Sequence, residues 1–143
     1  MTFFVDRSLG QRIVPAALRD AGFAIVTHDE MFSHDTTDEE WLAEAGARGW
    51  VVLMKDDRIR YNPRERAALE AASVRAFVLT AGNITGEDQA WLLVARAEGI
   101  TRFSERHPGP YVIGVYQVRP FLRPLYPPDL LRRRRPRRRR EGA

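Results

Sequence analysis

The sequence predicts an α/β fold: three layers, α/β/α, around a mainly parallel five-stranded sheet. Three observations carry that expectation. Short apolar runs alternate with segments of helical periodicity along most of the chain, which is the pattern of a parallel sheet covered by helices and joined by right-handed crossovers. The run Trp50-Val51-Val52-Leu53-Met54 is uninterrupted and rich in β-branched residues, as in a strand buried on both faces. Helix start and stop residues punctuate the intervals between such runs.

Thr2 to Val5 is the first strand, stopped by Asp6. Ser8 to Ala21 follows with Ile13, Val14, Ala17 and Leu18 at helical spacing and Gly22 as the stop. Pro15 is tolerable if the regular helix begins near Gln11, which puts the proline about its first turn. Phe23 to Val26 is the second strand, leading into Thr27-His28-Asp29-Glu30 and a polar loop from Met31 to Thr36. Thr37 and Glu40 form a capping box, and Trp41, Leu42 and Ala45 give the helix behind it a buried face that Gly46 or Gly49 closes. The central strand comes next and ends in Lys55-Asp56-Asp57.

Asn62-Pro63 starts another helix, with proline at its first position, and Arg64 to Ala72 continues it. Val74 to Leu79 is the fourth strand, followed by Thr80 and a loop through Gly82 and Asn83. Thr85 to about His107 reads as one long helix with Trp91, Leu92, Val94 and Ala95 inward and a possible break at Gly99. Pro108-Gly109-Pro110 turns into a fifth strand, Tyr111 to Val118, whose alternation suggests an edge. The folded domain is expected to span residues 1–121 and a disordered Pro/Arg-rich basic tail residues 122–143.

Composition narrows the function. The chain has 143 residues, enough for one domain with a proper core. No run approaches the roughly eighteen apolar residues of a membrane helix, and the start of the chain lacks a basic, apolar leader. With no cysteine there are no disulfides and no thiolate metal sites, so a cytoplasmic bacterial protein is expected. The net charge of +4 hides a partition. Residues 132–143 hold eight arginines against one glutamate, a net +7, which leaves −3 on the preceding body. A mildly acidic domain therefore carries a strongly basic tail, able to add nucleic-acid affinity without sequence preference or to be dispensable.

The acidic residues have a pattern. Asp6 ends the first strand, Asp56 and Asp57 follow the third, and Asp38, Glu39 and Glu40 open the intervening helix. If the first and third strands are parallel, all three groups lie at one sheet edge, where ligands bind in open α/β sheets. Like charges held that close destabilise one another unless compensated, and a hard divalent cation such as Mg²⁺ or Mn²⁺ is the usual compensation for an all-carboxylate set. Singly, each acid has a plainer role, at a helix N-terminus or in a turn.

Phe3-Phe4-Val5-Asp6, Asp38-Glu39-Glu40-Trp41-Leu42, Val51-Val52-Leu53-Met54-Lys55-Asp56 and Phe77-Val78-Leu79-Thr80 with Gly82-Asn83 together resemble the compact PIN-like domains, the group containing VapC-type toxins and related small nucleases. The resemblance covers roughly Thr2 to Val118. It implies a Mg²⁺- or Mn²⁺-dependent endoribonuclease, the toxin of a toxin–antitoxin pair, with RNA as substrate, an antitoxin as partner, and a homodimer as the family habit. It implies Asp6, Asp38 and Asp56 as catalytic metal-binding residues, with Glu39 the second choice for the middle position and Asp57 a further candidate. Longer PIN domains carry a fourth acid where Thr80 and Asn83 stand here. These two are assigned to substrate binding together with Arg7 and Lys55, which flank the aspartates and suit phosphate oxygens.

His28 beside Asp29 is read as a polar loop residue, and Trp41, Trp50 and Trp91 as core. Two rival functions share parts of the pattern. A receiver-like phosphoacceptor domain also has aspartates after its first and third strands, but would want a second acid beside Asp6, where Arg7 stands, and a lysine after the fifth strand. A catalytically silent nucleic-acid-binding module would depend on the arginine tail alone.

Overall fold

Strand β1 (Thr2–Val5) lies inside the sheet, hydrogen-bonded in parallel to β2 (Ala24–Thr27) on one side and β3 (Val51–Met54) on the other. The computed structural model describes residues 1–55 and 57–133; of Asp57 and Arg133 only the backbone is described. Strands β4 (Arg75–Leu79) and β5 (Tyr111–Val115) extend the parallel set, and β6 (Leu122–Tyr126) closes it antiparallel to β5. The order is β2-β1-β3-β4-β5-β6. The helices are α1 (Ile13–Asp20), α2 (His28–Met31), α3 (Asp38–Arg48), α4 (Pro63–Ala71), α5 (Gly86–Arg106) and α6 (Leu130–Arg133), with 3₁₀ turns at Arg7–Leu9 and Asp57–Arg60.

Alternation along each strand divides the core between the two faces of the sheet. Phe3, Val5, Leu53, Phe77, Leu79 and Ile113 pack with Val14 and Leu18 of α1 and Leu92, Leu93 and Ile100 of α5. Phe4, Val52, Met54, Ala76, Val78 and Val112 face the other way, against Trp41 and Leu42 of α3 and Leu69 of α4. Phe4 stacks on Trp41 at 5.1 Å and on Trp50 at 5.6 Å, so β1 is clamped by two aromatic rings. Because β3 is buried on both faces along its whole length, the apolar run that predicted it needed no alternation.

Helix α3 is held at its start by the predicted capping box: Thr37 accepts from the Glu40 N–H and Glu40 from the Thr37 N–H. It ends at Gly49, whose φ of +69° suits a residue without a side chain. Gly46 lets α3 approach α4, since a Cβ there would lie 2.3 Å from the Ala72 carbonyl oxygen.

Six expectations are corrected. The sheet has six strands among the described residues, and β5 is interior, ending at Val115. The sixth comes from residues placed in the disordered tail. Its Pro/Arg-rich composition hid the strand, yet Leu122, Leu125 and Tyr126 pack onto the core clusters, and an edge strand tolerates Pro124. Tyr126 also donates a hydrogen bond to Glu70 of α4. Helix α5 is unbroken through Gly99, and its buried stripe runs Ala90, Leu93, Ala97, Ile100, Ser104. Trp91 falls off that stripe and is 73% exposed, so it is not core, unlike Trp41 and Trp50. His28 is no loop residue: it opens α2 and is fully buried. The arginine run beyond Arg133 lies outside the described residues.

Candidate functional site

The carboxyl ends of β1 and β3 are joined by backbone and side chain. The register pairs Val5 with Leu53, and the Asp6 N–H donates to the Leu53 carbonyl at 2.9 Å, carrying the ladder one residue past β1. Asp6 then caps the 3₁₀ turn. Its Oδ2 accepts from the Ser8 N–H at 3.1 Å and from the Ser8 hydroxyl at 2.6 Å. The same hydroxyl oxygen accepts the Lys55 N–H at 2.9 Å. Ser8 thus ties the Asp6 carboxylate to the loop that leaves β3 toward Asp56. Nothing in the sequence pattern singled out this serine, although a hydroxyl two residues after a strand-ending aspartate is a local capping signal.

Asp38 is the first residue of α3, and its Oδ1 accepts the Trp41 indole N–H at 2.8 Å, which fixes the carboxylate over the α3 side of the crevice. Opposite it, Asn62 caps α4 by accepting from the Arg64 and Glu65 N–H groups at 3.0 and 3.2 Å. That start places Glu65 in the first turn.

Between these elements is a crevice of about 270 Å³ lined by Asp6, Arg7, Ser8, Asp38, Arg58 and Glu65, with Trp41, Leu42, Met54 and Ile59 forming its apolar wall. Two aspartates assigned to one edge from separate segments therefore share one crevice, and Arg7 lines it with them. Its described wall carries three carboxylates against two guanidiniums. Glu65 was missed. The signal was available, since a helix that follows the carboxyl end of a parallel strand must start at that same edge.

The remaining expected site residues divide. Asp56 lies outside the described residues, and of Asp57 only its place at the start of a 3₁₀ turn is described. Glu39 is exposed in the first turn of α3 and does not line the crevice. Lys55, Thr80 and Asn83 line a second hollow, about 300 Å³, with Val78, Leu79 and Gly82. The Thr80 hydroxyl donates to the Val115 carbonyl at 2.9 Å, so it joins β4 to β5. Among the described residues no three His, Asp or Glu side chains stand close enough to hold a metal ion. The oxygen-only donor set at the crevice nonetheless has the chemistry of a hard cation site.

His28 stays out of the crevice. Its ring packs between Phe4 and Phe32 at centroid distances of 6.2 and 5.5 Å, and neither ring nitrogen has a hydrogen-bond partner. Burial holds its pKa below the usual 6.5, helped by the Arg7 guanidinium and opposed by Asp6 and Asp29.

The order of the first five strands is also that of flavodoxin-like and receiver domains, so topology does not separate the rivals. The residues after β5 are Tyr116 and Gln117, not lysine. Comparison with known proteins points to one family. A family model described as a PIN-like domain matches residues 1–81. A Mycobacterium tuberculosis protein named "Putative ribonuclease VapC45" is 36% identical over 117 residues, which covers 79% of this chain and 84% of that protein. No solved structure matches the chain significantly.

Proposed function

This chain belongs to the PIN-like domain family, and from that premise we propose that it is a Mg²⁺- or Mn²⁺-dependent endoribonuclease, the toxin of a toxin–antitoxin pair. The observation that carries the reading is the crevice at the carboxyl ends of β1 and β3, where Asp6, Asp38 and Glu65 line one space and the Ser8 hydroxyl holds the N–H of Lys55, the residue after β3. The ribonuclease named among its relatives supports RNA as the substrate and, through the VapC designation, an antitoxin as partner. No helix among the described residues is long and apolar enough to cross a membrane.

In this reading Asp6, Asp38 and Asp56 hold the cation, and Glu65 replaces Glu39 as the next acidic contributor. A bound divalent ion supplies Lewis acidity, polarising a phosphoryl oxygen and activating the attacking water. The protein's own residues do the rest. Ser8 holds Asp6 and Lys55 in fixed relation, and the indole of Trp41 holds Asp38. Arg7 and Arg58 offer guanidinium donors to phosphate oxygens. Lys55 and Asn83, in the neighbouring hollow, meet the strand as it leaves the crevice. The wall of Trp41, Leu42, Met54 and Ile59 limits water on one side, which strengthens every charge interaction there.

Cleavage of single-stranded RNA by the purified chain with Mn²⁺ tests the proposal. Activity should vanish with chelator and fall at least a hundredfold in Asp6→Asn and Asp56→Asn, on the order of one lost catalytic interaction. Folded protein that leaves varied RNA intact with Mn²⁺ present would refute it.

A further inference from the structure

A third depression continues along the same edge of the sheet. It measures about 330 Å³ and is lined by Ile84, Asp88, Trp91, Leu92, Arg96 and Gln117. Helix α5 starts after the carboxyl end of β4, and the loop holding Gln117 leaves the carboxyl end of β5, so this hollow shares its edge with the acidic crevice. The hollow of Lys55, Thr80 and Asn83 lies between them in strand order. From β1 to β5 is three strand spacings, about 14 Å, the span of a few nucleotides.

Trp91 presents its indole to solvent, and Val118, next to Gln117, is 66% exposed. The floor is built rather than loose. Arg96 donates to the Tyr116 and Gln117 carbonyls at 3.2 and 3.1 Å, and its guanidinium lies 3.6 Å from the centroid of the Phe121 ring. Arg123 sits 3.9 Å from the Tyr116 centroid, and Arg119 is exposed on the same loop. The chemistry is that of a single-strand subsite: an exposed indole on which a base can stack, the apolar side chains of Ile84 and Leu92 beside it, and the exposed Arg119 on the adjoining loop for the backbone. Asp88 would repel a phosphate but can accept from a base edge, and the Gln117 amide can donate or accept.

Resting on the ribonuclease reading, we infer that the Trp91–Gln117 hollow binds one unstacked nucleobase of the RNA substrate, several nucleotides from the scissile phosphate. Trp41 and Trp50 are 2% and 8% exposed, so Trp91 is the exposed member of the three tryptophans and reports occupancy by fluorescence.

The test uses the full chain carrying Asp6→Asn, so that RNA is bound and not cut, with a single-stranded adenosine octamer and a dinucleotide as probes. The octamer should quench tryptophan emission and bind about tenfold more weakly to Trp91→Ala. Trp91→Phe should restore most of that affinity, and dinucleotide binding should ignore both changes. Equal octamer affinity with and without Trp91, in a chain whose unmutated form cuts RNA, overturns this inference alone. If neither the octamer nor varied RNA is bound or cut by folded protein, the ribonuclease reading falls with it. If sedimentation shows that Trp91→Ala converts a dimer to monomer, the face belongs to a second copy and the inference is overturned.

Discussion

Ser8→Ala removes one oxygen and two hydrogen bonds, and the structure lets their worth be approximated. The hydroxyl donates to a carboxylate at 2.6 Å and accepts a backbone N–H at 2.9 Å. A hydrogen bond to a charged group contributes about 1.5–3 kcal/mol and one between neutral groups about 0.5–1.5 kcal/mol. Both bonds are at an exposed residue, where water replaces part of what is lost, so the summed lower ends, about 2 kcal/mol, are the upper limit. The variant should be less stable by about 1–2 kcal/mol. With a urea m-value of roughly 2 kcal/mol/M, the unfolding midpoint should fall by about 0.5–1 M at unchanged slope. Ser8→Thr keeps the hydroxyl and should lose less than half as much. The positioning role adds a second readout: Mn²⁺ binding by calorimetry should weaken in Ser8→Ala even where the protein is fully folded. A midpoint unchanged within error, together with unaltered Mn²⁺ binding, would refute the view that this serine joins the two halves of the crevice.

Other consequences are checkable in the same way. His28 has a folded-state pKa below its unfolded value of about 6.5, so the unfolded chain binds the extra proton. Stability from this group is complete above that value and declines as pH falls through it toward the folded pKa. His28→Phe, which deletes two nitrogens that have no hydrogen-bond partner, should flatten that decline in urea titrations between about pH 7.5 and 5; a slope identical to the parent's would contradict it. Truncation after Phe121 removes β6 and bares the edge of β5, and should give an unstable or aggregating product by thermal melting and light scattering. Truncation after Arg133 should melt like the full chain, while the dependence of RNA affinity on salt becomes shallower as the arginines are lost.

The sheet and its edge were legible because burial writes itself into composition. Four strands come from apolar runs bounded by polar residues, and β3, buried on both sides, is the plainest of them. Capping chemistry is equally local, and Thr37 with Glu40 behaves as the spacing requires. What the sequence concealed depends on phase or on distant partners. Trp91 and Leu92 are adjacent and similar in hydropathy, yet a rotation of about 100° per residue sends one to solvent and the other to the core. The β6 strand is recruited by β5, so its own prolines and arginines argued for disorder. His28 is carried inward by a cap at Thr27 that starts a helix where a loop was expected. At the site, Asp6 and Asp38 were found from strand ends and helix starts. Glu65 obeys the same rule but stands alone between Arg64 and Arg66, with no acidic cluster to mark it.

The carboxylates that follow β1, open α3 and follow β3 are proposed to hold a hard cation jointly. Anomalous diffraction from crystals of the chain grown with Mn²⁺ tests this proposal most directly. A peak is expected in the crevice within about 2.0–2.3 Å of carboxylate oxygens of Asp6, Asp38 and Asp56. A crevice without a peak in crystals of folded protein holding Mn²⁺ elsewhere, or a peak bound without Asp6, would contradict it.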